Sequence, residues 1–435
     1  MEITLGYGSG QVTFRLPDDN VGRVIRPGRS GDRRPAGGAL AREVERAVGR
    51  VGRDFKGRRV LVLLADGTRD QPHRGGFAAL APLLRPAGSV HVLIATGTHQ
   101  PDTPENRRIL DAVRAVSADE GLPLVGAEAH DARSSPSTDL GTTRFGIPVA
   151  LHRQVDAAEV VCVVSDMKPH YFAGYSNPAK FLLPGVARFD STERDHAFAL
   201  DPGAAACRHP LHPDPARRRN PVAENELEAA RMVAARRPVY ALASVGGSDV
   251  TWASFGLLED VVADGIRQVD ADLTFAVARR YRRAVISCGG YPNDQTLYIA
   301  QRSLELTKEA VADGAEVLWL AECRNGIAST DEAARNFFEP LKGDAAAYAE
   351  AVRADYVMYG HKAVRFFEML DRLAALHVAT ALPRDTLDGT GLVHCPGPAA
   401  LVERWAGDRE PILFVDGAST LALRRAAGVC AGPGR

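Results

Sequence analysis

The chain has 435 residues, and its 53 Lys and Arg residues against 54 Asp and Glu residues leave a formal net charge of −1 at pH 7. At roughly 150 residues per domain, this length predicts two or three domains with a large buried core. The balanced charge provides no basic field for phosphate backbones or anionic lipids. We therefore expect neither nucleic acid nor a membrane as a partner.

Cysteines and apolar runs indicate the class of protein. The six cysteines lie far apart and form no C-x-x-C pair, which argues against a disulfide framework or a thiolate zinc site. The longest apolar run, Val60 to Ala65, is much shorter than the roughly 20 residues of a membrane span. It is also shorter than the apolar core of a signal peptide, which has about 7 to 15 residues. These features predict a soluble cytoplasmic protein.

The first 60 residues are predicted to form a hairpin, a loop and a surface helix. Ile3 to Leu16 has two short strand patterns around a Gly-rich turn, which is typical of an antiparallel β-hairpin. The glycines precede a strand and not a helix, so they do not indicate a dinucleotide site. Pro27 to Gly38 predicts a loop, and Ala39 to Val51 predicts a helix with a solvated charged face.

Two successive patterns of alternating strands and helices follow. Such alternation predicts parallel sheets, with ligands bound beyond the carboxyl ends of the strands. The first pattern predicts strands at 59–65, 90–95 and 159–164 and helices at 76–84 and 105–116. The second predicts strands at 283–287, 315–321, 356–359, 377–381 and 412–415 and a long helix at 294–313.

The predicted fold class is α/β: two α/β domains with mainly parallel sheets, an N-terminal β-hairpin and an active site in the interdomain cleft. The change of pattern places the domain boundary near residue 270. Residues 1–269 are expected to form the catalytic and cofactor domain, and residues 270–405 the C-terminal α/β domain. Residues 406–435 are expected to be a C-terminal segment that packs back on the N-terminal domain.

Three loops that follow predicted strands of the first domain carry reactive side chains. Because parallel strands end at one edge of a sheet, these side chains are expected to lie near one another. They include candidates for proton transfer, for nucleophilic attack and for binding a carboxylate. The candidates in chain order are Asp66, Thr68, Arg69, His99, His170, Lys180 and His196.

Taken one at a time, these residues also have ordinary structural explanations. Asp66 and Thr68 are suited to capping a following helix. Arg69 is suited to a surface ion pair, which contributes little to stability. A single histidine such as His99 is more often a hydrogen-bonded loop residue than a catalyst.

As a set, the residues leave three functions open. A zinc site of His99, His170 and His196 would make a hydrolase. A covalent adduct on Lys180 would make a carbonyl or cofactor enzyme. Arg69 with loop amides would serve a binding module for anions.

The three loops also resemble a known family. Together they are similar to the nickel-dependent lactate racemase family, and the likeness extends to 7–10, 220–224, 289–298 and 321–326. The motifs that carry the resemblance are Asp66-Gly-Thr-Arg69, Thr96-Gly-Thr-His99-Gln-Pro101 and Pro169-His170-Tyr-Phe-Ala-Gly-Tyr-Ser-Asn-Pro-Ala-Lys180-Phe-Leu-Leu-Pro-Gly185.

The resemblance implies a cofactor, the nickel-pincer nucleotide, which is a pyridinium-3-thioamide-5-thiocarboxylic acid mononucleotide that holds nickel. By motif position, its thioamide is attached covalently to Lys180, and His196 is the protein ligand to the metal. Asp66, Thr68 and Tyr298 correspond to residues beside the cofactor. Enzymes that make the cofactor are the implied partners.

The same resemblance implies the reaction, which is racemisation or epimerisation of a 2-hydroxy acid by reversible hydride transfer. His99 and His170 correspond to the paired acid/base residues. Arg69 corresponds to the arginine that binds the substrate carboxylate, and Arg302 is expected to bind substrate as well. Two alternatives stay open: a paralogue with a net redox or cofactor-handling role, and the zinc hydrolase described above.

Two segments depart from the pattern that is usual in this family. Asn177, Pro178 and Ala179 precede Lys180 where Gly-Gly-Arg is usual, and proline fixes a backbone that glycine leaves variable. Ile299 replaces a glutamine after Tyr298, and its side chain makes no hydrogen bonds. Both departures are expected to lie near the substrate end of the site. The identity of the 2-hydroxy acid stays open among lactate, malate, an aromatic lactate and a sugar acid.

Overall fold

The computed structural model describes residues 1–27 and 38–426. Within this part of the chain, packing separates two compact units. The terminal unit contains residues 1–27, 169–171 and 272–426, and the central unit contains residues 38–168 and 172–271. Most of the loop predicted at 27–38 and the last nine residues of the chain lie outside the described residues.

The elements alternate between strands and helices along most of the chain. The strands are β1 (Glu2–Tyr7), β2 (Gly10–Arg15), β3 (Val21–Ile25), β4 (Arg59–Ala65), β5 (Ser89–Ala95), β6 (Leu124–Ala129), β7 (Ser137–Thr142), β8 (Pro148–His152), β9 (Val160–Asp166), β10 (Lys168–His170), β11 (Gly174–Ser176), β12 (Val239–Val245), β13 (Trp252–Leu257), β14 (Thr274–Val277), β15 (Tyr281–Ser287), β16 (Val311–Leu320), β17 (Leu373–Ala379), β18 (Leu392–His394), β19 (Ile412–Val415) and β20 (Ala422–Arg425). The α-helices are α1 (Ala39–Phe55), α2 (His73–Ala79), α3 (Ala81–Leu84), α4 (Pro104–Asp119), α5 (Arg153–Ala157), α6 (Phe189–Ala197), α7 (Pro221–Ala234), α8 (Leu258–Leu273), α9 (Leu297–Ala300), α10 (Arg302–Thr307), α11 (Asp331–Phe337), α12 (Ala345–Ala354), α13 (Gly360–Arg372) and α14 (Pro398–Trp405). Among the described residues, none of these helices is both long and apolar enough to span a bilayer.

The central unit is built on a six-stranded sheet with the order β13-β12-β9-β4-β5-β6. All neighbours are parallel except the edge strand β13, which is antiparallel to β12. β4 and β9 are almost uninterrupted apolar runs, as expected for strands covered on both faces. Ala65 at the end of β4 pairs with Ala95 at the end of β5, so the loops after these strands begin at the same edge.

The terminal unit contains a six-stranded parallel sheet with the order β18-β17-β16-β15-β19-β3. The hairpin β1–β2 buries Leu5 and Phe14 in one core with Leu318 and Phe414 of this sheet. The mainly parallel α/β architecture and the N-terminal hairpin confirm the predicted fold class.

The packing units follow different boundaries from the predicted domains. Residues 1–27 group with residues 272–426 because β3 forms hydrogen bonds with β19 and the hairpin packs on the same sheet. The described part of the predicted C-terminal segment, residues 406–426, contributes β19 to that sheet between β15 and β3.

Two elements predicted for the second half of the chain are wrong. The long helix at 294–313 is replaced by the short helices α9 and α10, and β16 already begins at Val311. Pairing with β15 and burial of Val311 override the helical pattern of this segment. The strand at 356–359 is absent from the structure because Tyr359 has a left-handed φ of 74° and is the N-cap residue of α13.

A buried polar cluster joins β11 and the segment after it to α8 within the central unit. Asp270 Oδ1 accepts a hydrogen bond from the Tyr175 hydroxyl at 2.7 Å and from Arg217 Nη2 at 2.9 Å. His212 Nε2 lies 3.0 Å from Asp270 Oδ2. Burial alone would raise the pKa of Asp270, but the hydrogen bonds from His212, Arg217 and Tyr175 lower it well below its ordinary value.

We expect Asp270→Asn to destabilise the central unit by about 3 kcal/mol at neutral pH, because it leaves the Arg217 guanidinium without its counter-charge. The carboxylate contributes stability above its unfolded pKa of about 4, and this contribution is lost as the pH falls below that value. Chemical denaturation at pH 7 and near pH 3 measures both effects. The difference between variant and parent should shrink at the lower pH, and an equal difference at both pH values would contradict the assignment.

Candidate active site

The loops after β4 and β5 bring Asp66 and His99 into direct contact. Asp66 Oδ2 lies 2.6 Å from His99 Nδ1, and the Thr68 hydroxyl donates to Asp66 Oδ1 at 2.8 Å. The aspartate side chain is 4% exposed, whereas the imidazole is 31% exposed. The carboxylate is therefore the buried partner, and the histidine ring is the one that small molecules reach.

Asp66 is ionised in this environment. Burial by itself would raise its pKa, but the charge and hydrogen bond of His99, then Arg69 and Thr68, lower the pKa below its ordinary value. A carboxylate at Nδ1 favours the tautomer that carries its proton on Nδ1, and this leaves Nε2 as the basic nitrogen. The pair thus has the geometry of an oriented general base.

Asn106 of α4 holds both loops in place. Its Oδ1 accepts a hydrogen bond from Gly67 N at 2.9 Å, and its Nδ2 donates to Pro101 O at 2.9 Å. Gly67 has no room for a side chain, because a Cβ there would lie 2.2 Å from Glu105 Cβ. Sequence reasoning missed Asn106, which is buried and lies 39 positions from Gly67.

Arg69 lies at the same edge with a partly exposed guanidinium. Its Nε is 3.9 Å from Asp66 Oδ1, at the outer limit of an ion pair, and its side chain is 30% exposed. Asp166 at the end of β9 is buried and paired with Lys168 at 2.6 Å. Burial would raise the pKa of Asp166, but the charges of Lys168 and Arg69 lower it. The edge therefore combines two ionised carboxylates with a cation suited to bidentate binding of a substrate carboxylate.

Lys180 belongs to a 3-10 turn, Pro178–Phe181, that follows β11. Asn177 caps this turn, since its Oδ1 accepts from Ala179 N at 2.9 Å, and its Nδ2 donates to Tyr175 O at 3.1 Å. Pro178 stands in the first position of the turn, where its fixed φ fits. Asn177 and Pro178 thus build a rigid, capped turn that contains Lys180.

The amine of Lys180 is buried against a carboxylate of α7. Lys180 Nζ lies 2.7 Å from Glu226 Oε1, and the side chains are 12% and 1% exposed. Burial raises the pKa of Glu226 to about 8, although the charge of Lys180 opposes this shift. Glu226 was not among the predicted residues, because a contact 46 positions away along the chain leaves no local pattern.

His196 lies at the end of α6 beside a second buried carboxylate. Its Nδ1 is 3.2 Å from Asp195 Oδ2, and Asn225 of α7 donates to Asp195 Oδ1 at 2.8 Å. A carboxylate at Nδ1 is the usual second partner of a histidine that binds metal through Nε2. The neighbouring positions Asn225 and Glu226 therefore connect α7 to Asp195, the partner of His196, and to Lys180.

Lys180 and His196 both lie against the ring of Phe172. Lys180 Nζ is 5.5 Å from the ring centroid, and the imidazole centroid of His196 is 5.2 Å from it. A group attached to the amine and coordinated by the imidazole needs these two side chains near one another. The donor set, one amine and one oriented imidazole, fits a cofactor that brings the remaining metal ligands itself.

The other predicted site residues belong to the terminal unit. The His170 ring stacks on Tyr171 with centroids 5.2 Å apart. Tyr298 on α9 contacts Lys362, whose Nζ is 3.8 Å from the ring centroid. Arg302 at the start of α10 donates to Asn293 Oδ1 at 2.6 Å. The combination of His170, Tyr298 and Arg302 with the central-unit residues stays a prediction.

The zinc alternative required one ligand set made of His99, His170 and His196. Among residues 1–27 and 38–426, no group of three or more His, Cys, Asp or Glu side chains is placed to hold a metal ion. The central-unit histidines of this set instead pair separately, His99 with Asp66 and His196 with Asp195.

Comparison with known proteins identifies relatives of this chain. Residues 7–207 match the family model described as the lactate racemase N-terminal domain. The chain is 25% identical to the lactate racemase of Thermoanaerobacterium thermosaccharolyticum over 339 residues, 74% of this chain and 75% of that protein. It is 21% identical to the lactate racemase of Lactiplantibacillus plantarum over 285 residues, 61% of each chain.

Solved structures show the same fold. The lactate racemase apoprotein from T. thermosaccharolyticum matches with a TM-score of 0.80 at 20% identity, over 98% of this chain and 100% of that one. A Thermotoga maritima protein matches with a TM-score of 0.64 at 15% identity, over 89% of this chain and 97% of that one. With the family model, the sequence relatives and the fold in agreement, the chain carries the N-terminal domain of the lactate racemase family, whose named members are isomerases.

Proposed function

We propose that the protein is an isomerase that racemises or epimerises a 2-hydroxy acid. The observation that carries the proposal is the contact of the partly exposed His99 with the buried, ionised Asp66, with the Arg69 guanidinium beside them. This arrangement holds a base and a carboxylate-binding cation at one edge of the central sheet. A 2-hydroxy acid offers the complementary groups, a hydroxyl and a carboxylate.

The chemistry of the substrate argues for hydride transfer. Removing a proton from carbon beside a carboxylate is difficult for a neutral imidazole, because the resulting carbanion is poorly stabilised. Removal of hydride, with a histidine taking the hydroxyl proton, leaves a planar keto acid that accepts hydride on either face. Net inversion then needs a hydride acceptor and a base for each orientation of the substrate.

The chain's own residues divide this work. Arg69 binds the carboxylate through two parallel hydrogen bonds and keeps the substrate in place while the keto acid turns. His99 Nε2 takes or returns the hydroxyl proton, and the Asp66 carboxylate stabilises the imidazolium that forms. His170 is proposed as the second base, with Arg302 of the terminal unit as a further substrate residue.

When bound, the nickel-pincer nucleotide supplies the hydride acceptor that no protein side chain provides. Lys180 would hold it covalently, and His196 would bind the metal through Nε2 while Asp195 orients the ring. Asp66, Thr68 and Tyr298 are proposed to lie beside it. The enzymes that make the cofactor are then required partners, and both loading and turnover are proposed to take place in the cytoplasm.

We expect protein purified with the cofactor-making enzymes to convert one enantiomer of a 2-hydroxy acid into the mixture of both. Lactate, malate, aromatic lactates and sugar acids form the panel, and optical rotation or chiral chromatography follows the reaction. Loaded protein that changes the configuration of no member would contradict the proposal. Accumulation of free keto acid with consumption of an added electron acceptor would favour the net redox alternative.

His99→Ala is expected to lower kcat by about 10²- to 10⁴-fold, since it removes the general base. Asp66→Asn should cause a loss of about the same order, because the amide no longer favours the correct tautomer. Intact mass and metal content measure loading in the same samples. A fully loaded His99→Ala variant with parental kcat would remove this residue from the mechanism.

Lys180→Ala and His196→Ala should separate the two attachments of the cofactor. Lys180→Ala is expected to lose the covalent mass increment, whereas His196→Ala keeps the increment but retains less nickel. Mass spectrometry and elemental analysis of the purified variants provide the measurement. Lys180→Arg is the matched control, since it keeps the positive charge against Glu226 but does not form the thioamide. An undiminished mass increment in Lys180→Ala would place the attachment elsewhere.

A further inference from the structure

The ion pair between Lys180 and Glu226 is deeply buried. The Glu226 side chain is 1% exposed, and its Oε1 lies 2.7 Å from Lys180 Nζ. Its Oε2 is also buried and has no hydrogen-bond partner among the residues that the structure describes. One carboxylate oxygen thus contacts the amine, and the other is left with its hydrogen-bonding capacity unused.

Stability does not explain this pair. Burying two charges costs several kcal/mol, and apolar residues of similar volume are commonly as stable or more stable. The second carboxylate nearby makes the environment less favourable still, because Asp195 adds negative charge. A buried carboxylate with one unsatisfied oxygen is therefore better explained by a role that needs a proton acceptor at the amine.

We propose that Glu226 carries protons during the covalent attachment of the cofactor to Lys180. This inference rests on the proposed function, since it concerns the thioamide that the cofactor forms with this amine. Glu226 is the carboxylate in contact with Nζ, and it is placed to take a proton from the ammonium group. The same carboxyl group then returns the proton to the oxygen that leaves.

The reaction balances without an oxidant or reductant. A thiocarboxylate on the pyridinium ring and the Lys180 ammonium give a thioamide and one molecule of water. The carbon–nitrogen bond forms, the carbon–oxygen bond breaks, and the sulfur stays on the carbon. The nitrogen loses two protons, and both leave with the oxygen as water. Glu226 accepts and returns each proton, so it ends the reaction as it began.

The electrostatics of the site support a carboxyl group that exchanges protons near neutral pH. Burial raises the pKa of Glu226 to about 8, with Asp195 adding to the rise and Lys180 opposing it. Once the amine has become a neutral thioamide, the opposing charge is gone. After the reaction is complete, the carboxyl group takes up one further proton from solvent, because burial raises its pKa, and no unpaired charge is left in the interior.

The test follows attachment directly by intact mass. Purified apoprotein is incubated with the cofactor-making enzymes and their substrates, and the mass increment on Lys180 is measured over time. Glu226→Gln keeps the shape of the side chain but does not carry protons, so attachment should be about 100-fold slower. Glu226→Asp keeps the carboxylate but withdraws it by one methylene, and we expect a rate about tenfold below the parent.

Glu224→Gln is the matched control on the same helix. The Glu224 carboxylate pairs with Arg144 at 2.6 Å and accepts from Asn220 N at 3.2 Å. The variant makes the same Glu-to-Gln change on α7 as Glu226→Gln, but at a position away from the amine. It should gain the mass increment at the parental rate, and a rate as slow as that of Glu226→Gln would overturn the proposal.

The outcomes separate this proposal from the proposed function. If Glu226→Gln gains the increment within twofold of the parental rate while the parent racemises hydroxy acids, the role of Glu226 is wrong and the function stands. If the parent itself gains no increment on Lys180, both are wrong. Thermal melting checks that each variant is folded, and where Glu226→Gln is unfolded, a parental rate in Glu226→Asp overturns the proposal.

Discussion

The in-register pairing of β4 with β5 is the constraint on which the candidate site depends. Because Ala65 lies opposite Ala95 and β9 flanks β4 on the other side, Asp66, His99 and Asp166 leave the sheet at one edge. A shift of one residue would turn their side chains to the opposite face. The continuous apolar character of β4 does not by itself prevent such a shift. Packing of the strand against helices fixes its position, and Asn106 fixes both loops at their ends.

Two histidines of the central unit share one arrangement of their side-chain partners. In each case a buried carboxylate approaches Nδ1, at 2.6 Å from Asp66 to His99 and at 3.2 Å from Asp195 to His196. Each carboxylate has a further donor, Thr68 in the first pair and Asn225 in the second. The shared geometry leaves Nε2 as the basic nitrogen of each ring, in keeping with the roles proposed for His99 in proton transfer and for His196 in metal binding.

Local patterns predicted the elements whose sequence is dictated by burial on both sides. The bounds of β4 and β19 agree with the prediction to the residue, since a short apolar run between polar residues is typical of a buried parallel strand. The predictions of a helix at 294–313 and of a strand ending at Tyr359 were wrong, because sheet pairing and a left-handed backbone conformation override local preference. The partners Asn106, Asp195 and Glu226 were missed, since distant segments meet them only in the folded chain.

The surroundings of Lys180 combine a capped turn with a buried carboxylate. Asn177 and Pro178 fix the turn, so the lysine has little conformational entropy left to lose on binding. The proposed attachment of a cofactor to this amine also needs a partner for the charge of the ammonium group, which an apolar wall would not provide. Glu226 of α7 is such a partner. The residue before it, Asn225, donates a hydrogen bond to Asp195, which lies beside His196. One helix thereby aligns the amine and the imidazole, and a change in its register would misplace both together.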